Sequence, residues 1–567
     1  MPKRKTKGKP SVAHTTTGKK PTLSKTNIPA RSRPFPATRR VDIHPLDRAI
    51  AELRAELART PDDSTLLGRL GALYYRRGSL KEAEHYYRQA IALSPRRPTL
   101  YNNLGNVLCD VGRMRDGIAA YEHAIALEKS ADPTRGPSPE AIVNLELARL
   151  ENRLMHERID YLERAAQLDV SSAETVNALG CGYMLRAQRL QALQMFRRAA
   201  EMDPRSLPAA LNIAFVHSLG LEDIDLKTVQ AEIAEAILRF PSVGRLHMHQ
   251  GELLENAGLL EGAEERYLRA LIAEPRFIEA YDLLGRLREA TGTVQTRDET
   301  AHAVEQTLKK LEQSAWERRT RDGAPAEAQA LFDMALAQVA RARFTRKPLT
   351  DPEAVDALLR EVVPASIPAT STTAWGEPDV AVRAAVLRAQ LFESDGRRDE
   401  ARMVLENAAK AHGENARLWF ERGALALRSG DVEQAMGNFD RATIVAPEDA
   451  VSYHSLRFAF EGYRRYRTEV VRFESSTKAN PRDGMAHHHL ALAALSVLRN
   501  EEALKHFARA LEFDPRLSDA ACGRGRALQR LGRLDEAEAA FSQALQIDPE
   551  NAEAQRSLLA IRSQRLV

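Results

Sequence analysis

The sequence predicts an all-α solenoid, in which helix hairpins stack in two arrays behind a basic N-terminal tail. Two observations predict it. A pattern of small, aromatic and proline residues recurs every 34 residues, from the first hundred residues to the last. Each period holds two amphipathic segments parted by a tight turn, so the core grows along one axis and 567 residues need not divide into several compact domains.

The unit at residues 518–551 shows the pattern plainly. Counting Ser518 as position one, Gly525 stands at eight, Ala537 at twenty, Phe541 at twenty-four, Ala544 at twenty-seven and Pro549 at thirty-two. Residues 520–530 and 534–546 read as helices, with Gly532 supplying the positive φ of a C-cap between them. Small residues at eight and twenty let the helices approach closely. The aromatic residue fills the wedge between hairpins, and Pro549 ends the second helix because it lacks an N–H donor. This constellation resembles the tetratricopeptide repeat (TPR) family, and the resemblance implies a right-handed superhelix whose concave face binds other proteins.

Taken in order, residues 1–42 read as a disordered basic tail, too rich in Lys, Arg, Pro, Thr and Ser to offset the entropy of ordering. Residues 43–293 form the N-terminal array. It opens with a capping helix at 44–61, followed by full units from Ser64, Pro98, Ala173 and Gly244. The unit from Pro139 is degenerate, with Glu146 and Arg158 where small residues belong, and the unit from Leu207 carries an insertion near 220–225. Residues 294–381 lose the signature: helices are expected at 296–321, 326–344 and 351–363, then a Pro/Ser/Thr-rich hinge at 364–378 that lets the arrays move. Residues 382–567 form the C-terminal array, with units opening at Val382, Ala416, Ala450, Gly484 and Ser518 and a last helix from Asn551 as cap. The unit at 450–483 breaks its pattern with Arg457, Glu469 and Ser476.

Composition removes several function classes. Cys109, Cys181 and Cys522 lie far apart with no paired spacing, which points away from a disulfide framework or a zinc site and toward the cytoplasm. The longest apolar run, residues 490–498, is far short of the ~20 residues that span a bilayer, so no membrane insertion is expected. Of 82 basic residues, twelve lie between Met1 and Arg40 and no acid does, so the net charge of +4 divides into a basic tail and a body at −8. That tail is a candidate anchor for nucleic acid or ribosome, or only a solubilising segment. Adjacent His487, His488 and His489 sit 100° apart on a helix and cannot converge on one ion, so neither a metal nor another cofactor is expected. No phosphate loop, nucleophile elbow or zinc-protease motif occurs, and the expectation is not an enzyme.

The resemblance assigns the groove to positions two, five, six, nine and twelve of each first helix. In the first array these are amide-rich: Asn102, Asn103, Asn106, Asn144, Asn177 and Asn212. A primary amide both donates and accepts, so such a ladder can hold a peptide backbone whatever its side chains; the other reading is that these are consensus residues serving the fold. In the second array Phe420, His454 and Phe458 fall at groove positions, close to a run of arginines and aromatics at 460–473. TPR co-chaperones that bind the C-terminal tail of chaperones need three cations, for which this chain offers Asn102, Glu174 and Ala178, so that partner is rejected. The expectation is therefore a non-enzymatic scaffold for extended or helical segments of other proteins. The alternatives are an RNA- or ribosome-associated factor using the tail and the unit at 450–483, and an accessory subunit of an enzyme complex.

Overall fold

The computed structural model describes residues 45–132, 136–168, 172–220, 225–291, 298–321, 324–362 and 379–564. The tail at 1–42, the core of the insertion near 220–225 and the hinge at 364–378 fall outside those residues. All the regular structure described is helical.

Hairpins form where the signature is intact. Ser64–Arg76 pairs with Leu80–Leu93, Pro98–Asp110 with Met114–Ala131, Ala173–Leu185 with Arg189–Met202, Gly244–Asn256 with Leu260–Ala273, and Ser518–Arg530 with Leu534–Ile547. Their contact is set by position eight lying under the aromatic at twenty-four: a Cβ on Gly105 would stand 2.5 Å from the Tyr121 ring, and one on Gly180 2.5 Å from Phe196. Any larger residue there would push the ring out of a close-packed seam. Gly532 turns at φ 76°, as a left-handed cap requires. Prolines such as Pro204, Pro515 and Pro549 directly follow the C-cap residues Asp203, Asp514 and Asp548. Pro45–Leu57 and Ala552–Gln564 cover the two ends.

The region without signature is helical as expected, at Asp298–Arg321, Ala324–Thr345 and Pro352–Val362. Its pairing follows space and not sequence. Ile278–Thr291 finds its close neighbour in Ala324–Thr345, where a Cβ on Gly285 would fall 2.4 Å from the Arg343 carbonyl oxygen. The fully buried Asp333 holds this region to the first array, accepting from both Arg276 (2.8 and 3.0 Å) and Arg318 (3.0 Å).

Two units expected as hairpins are straight. Ala450–Ala479 is one uninterrupted helix of 30 residues, and Pro139–Glu151 continues through a π-helical turn at Asn152–His156 into Glu157–Leu168. These are the units that place Arg457 with Glu469, and Glu146 with Arg158, at the two positions of closest approach. Helices carrying long charged side chains there cannot fold flat on each other. At position fifteen, where Gly78 or Gly532 turns the chain, stand Arg153 and Arg464, good helix formers that favour running on.

The two straight units meet. The long helix packs against Pro139–Glu151, Ala173–Leu185 and Leu207–Ser218, folding the second array back on the first. One apolar core then runs from Leu154, Cys181, Leu185 and Phe215 to Tyr453, Leu456 and Phe460. Polar contacts cross the same boundary. Arg158 pairs with Asp440 at 2.6 Å, donates to Thr443 and lies 5.8 Å from the Tyr453 ring. Arg457 donates to the Leu185 carbonyl, and Arg467 and Arg464 face Glu146 and Glu151 at 3.6 and 3.8 Å. Of the arginines that a base-stacking surface would use, Arg464 and Arg467 thus face acids of the first array.

Candidate functional site

The asparagine ladder is divided by this closure. Its inner rungs, Asn177 and Asn212, are 1% and 0% exposed. The Asn212 amide donates to Asn177 Oδ1 (3.1 Å) and to the Glu448 carbonyl oxygen (2.8 Å), and its Oδ1 accepts from the Ala450 N–H (3.2 Å). Asn177 adds a longer bond to the same carbonyl, at 3.4 Å. Asp449 between these groups is the N-cap of the long helix and is extended (φ −93°, ψ 95°), which turns the 448 carbonyl and the 450 N–H to one side. The ladder therefore grips backbone as its chemistry implies, but the backbone belongs to this chain. In the closed structure Asn177 and Asn212 serve the fold.

The outer rungs remain beside open space. Asn144 donates to the buried Asn102 (3.1 Å), Asn106 accepts from the Tyr121 hydroxyl (2.7 Å), and Asn103 is half-buried on the same helix as Asn106. Asn106 and Asn144 line a cleft of about 750 Å³ whose opposite wall is the long helix, with Arg464, Arg465 and Arg472. The cations missing from sequence register are thus supplied from across the molecule. What signalled them was the paired degeneracy, with opposite charges at equivalent positions of two distant units; what hid them was that no spacing links residues 144 and 465.

The cleft has binding groups and no activated nucleophile. Burial pushes the Cys109 thiol up to about 12, leaving it protonated. Burial also raises the Glu151 carboxyl, against the pull of Arg464 and Arg457. Asp110 accepts from the Tyr75 hydroxyl at 2.7 Å. Such a wall offers amide pairs for a backbone and guanidinium groups for acidic side chains.

The second-array residues do not converge on one groove. Phe420 packs 5.5 Å from Phe439 and lines an inner cavity of about 230 Å³ with Phe215, Met248 and Asp449. His454 sits edge-on to Phe215 at 5.7 Å, inside the closure. Phe458 is 62% exposed on the other face. His487 stacks with His506, His488 lies against Phe507 and edge-on to His489, and His489 stacks on Phe473.

His454 gives the closure a pH dependence. Its pKa is depressed below 6.5, by burial first and then by Arg189 and Arg457, with Glu461 opposing. Protonation is thus easier in the unfolded chain, so its contribution is complete above about pH 6.5 and is lost as pH falls through the folded value. Urea midpoints measured from pH 8 to pH 5 should fall with acid, and His454→Gln should remove part of the slope. An unchanged slope in the variant would refute this role.

The fold defines a class, a helix-hairpin solenoid whose buried asparagines hold a turn of the same chain. The comparisons name the family. Tetratricopeptide repeat models match residues 71–112, 386–450 and 518–551, so the chain carries tetratricopeptide repeats in both arrays. It is similar to anaphase-promoting complex subunit 6 of Arabidopsis thaliana, 32% identical over 122 residues, 21% of either chain. It is also similar to the human protein O-mannosyl-transferase TMTC1, 27% identical over 176 residues, 29% of this chain and 18% of that one. The match thus spans about a fifth of each relative's length. Among solved structures, a chain of Naa15/Naa10 bound to HypK-THB aligns over 91% of this chain and 94% of that one, at 13% identity and a TM-score of 0.23. No helix among the described residues is long and apolar enough to cross a membrane.

Proposed function

We propose that this protein is a non-enzymatic, cytoplasmic scaffold that captures extended segments of partner proteins, and that the cleft between the outer asparagines and the long helix receives them. The observation that carries the reading is the Asn212 amide on the 448 carbonyl and the 450 N–H, which displays how this ladder reads a main chain. Asn144 stands at the same groove position as Asn212 and Asn106 at another, and both line a cleft large enough for several residues of chain. Phe458, exposed on the second array, is the candidate for a further contact. The alternative, an RNA-linked factor, now rests chiefly on the basic tail, because Arg158, Arg457, Arg464 and Arg467 have partners within the chain.

The test is an affinity pull-down from the native cell with the full chain, with nuclease, and with Asn106→Ala/Asn144→Ala. Protein partners should survive nuclease and fall at least ten-fold in the double variant, consistent with loss of two or more hydrogen bonds at about 1 kcal/mol each. Partners that vanish with nuclease or on deleting residues 1–40, and ignore the asparagine changes, would sink the scaffold reading.

A further inference from the structure

We infer that the turn at residues 447–450 is a ligand the chain presents to its own groove, so that the closed form and an extended partner peptide compete for Asn177 and Asn212. The inference rests on the peptide-capture reading and adds a control to it. The argument begins with which groups are recognised. Asn212 holds a carbonyl of residue 448 and an N–H of residue 450, both of them main-chain groups. A carbonyl at i and an N–H at i+2 are what an extended strand offers a neighbour along one edge. Any extended segment carries the pair, so these rungs cannot distinguish the chain's own turn from a partner's backbone.

One connected movement would vacate the seat, opening the apolar contacts of Tyr453, Leu456 and Phe460 with the first array and the Arg158–Asp440 pair as it does so. The turn leads directly into the Ala450–Ala479 helix, whose arginines reach across to Leu185, Glu146 and Glu151. The two ion pairs are solvent-accessible at their edges and therefore individually weak and sensitive to salt. If the long helix lifts, the two inner rungs are exposed together with the outer ones, and the ladder becomes continuous from Asn102 to Asn212. The internal segment competes at a high effective concentration, so affinity for an external peptide is reduced by the fraction of molecules that are closed.

The experiment uses the full chain and a fluorescein-labelled synthetic peptide of residues 444–456 as probe, with anisotropy for binding and small-angle scattering for shape. Ala450→Pro removes the N–H that Asn212 accepts, at a first helical position where proline is tolerated. Arg457→Ala/Arg467→Ala loosens the helix farther along, as a second route should the first variant fold poorly by circular dichroism. Either should bind the probe at least ten-fold more tightly than wild type with a larger radius of gyration, and Asn212→Ala added to either should abolish the gain. A larger radius without tighter binding, or a gain indifferent to Asn212→Ala, overturns the inference and leaves the outer cleft to be judged by the pull-down at Asn106 and Asn144. No change in radius or affinity in either variant overturns it as well, since the turn is then a fixed part of the fold.

Discussion

Asn212→Leu should lower the stability of the closed form by about 3 kcal/mol, since leucine keeps the branching of asparagine, is bulkier and supplies none of its hydrogen bonds. The residue is fully buried and its amide is completely used: two donors go to Asn177 and Glu448, and the oxygen accepts from Ala450. Each buried group left without a partner costs about 1–3 kcal/mol. The 450 N–H loses its partner outright, while the 448 carbonyl keeps the longer bond from Asn177, which holds the total near the middle of that range. Native-state hydrogen exchange reports the effect where it arises. The first-turn amides of Ala450–Ala479 should exchange about a hundred-fold faster, while those of Ser518–Arg530, remote from the change, keep their protection. Equal rates at Ala450 in both proteins would mean that Asn212 does not hold the turn.

Asp333→Leu should be as damaging or more so, by about 3–5 kcal/mol, the usual cost of breaking a buried ion pair by removing one partner. The carboxylate is 0% exposed and accepts from Arg276 twice, from Arg318 and from Gln329. Arg276 precedes the Ile278–Thr291 helix and Arg318 ends Asp298–Arg321, so one carboxylate ties three helices, including its own. Both arginines are partly open to solvent, which places the cost toward the lower end. The urea midpoint of the full chain should fall, and Asp333→Asn, which keeps acceptor and shape but not charge, should fall less. A variant indistinguishable from wild type would show that the region between the arrays is held by its apolar core alone.

The hairpins were legible because their signature is local. Gly525, Ala537, Phe541 and Pro549 each act on residues within one unit, and helix bounds read from them agree with the structure to within about two residues. The helices between the arrays were legible in place but not in pairing: Gly285 packs under Arg343, and nothing in a 34-residue period points 58 residues ahead. Glu146, Arg158, Arg457 and Glu469 were visible as departures from the pattern without their meaning being visible.

By itself the sequence determined the repeat, its helices and the chemistry of the groove, since each follows from periodicity and residue type over short spans. Only the tertiary structure decided that the two departing units run straight and meet, that their charges answer each other, and that Asn177 and Asn212 hold residues 448–450 while Asn106 and Asn144 face open space. The physical reason is range. A hairpin is specified by contacts some twenty residues apart, whereas closure is specified by shape and charge brought together from more than 230 residues away, as in the Asn212 bond to Glu448.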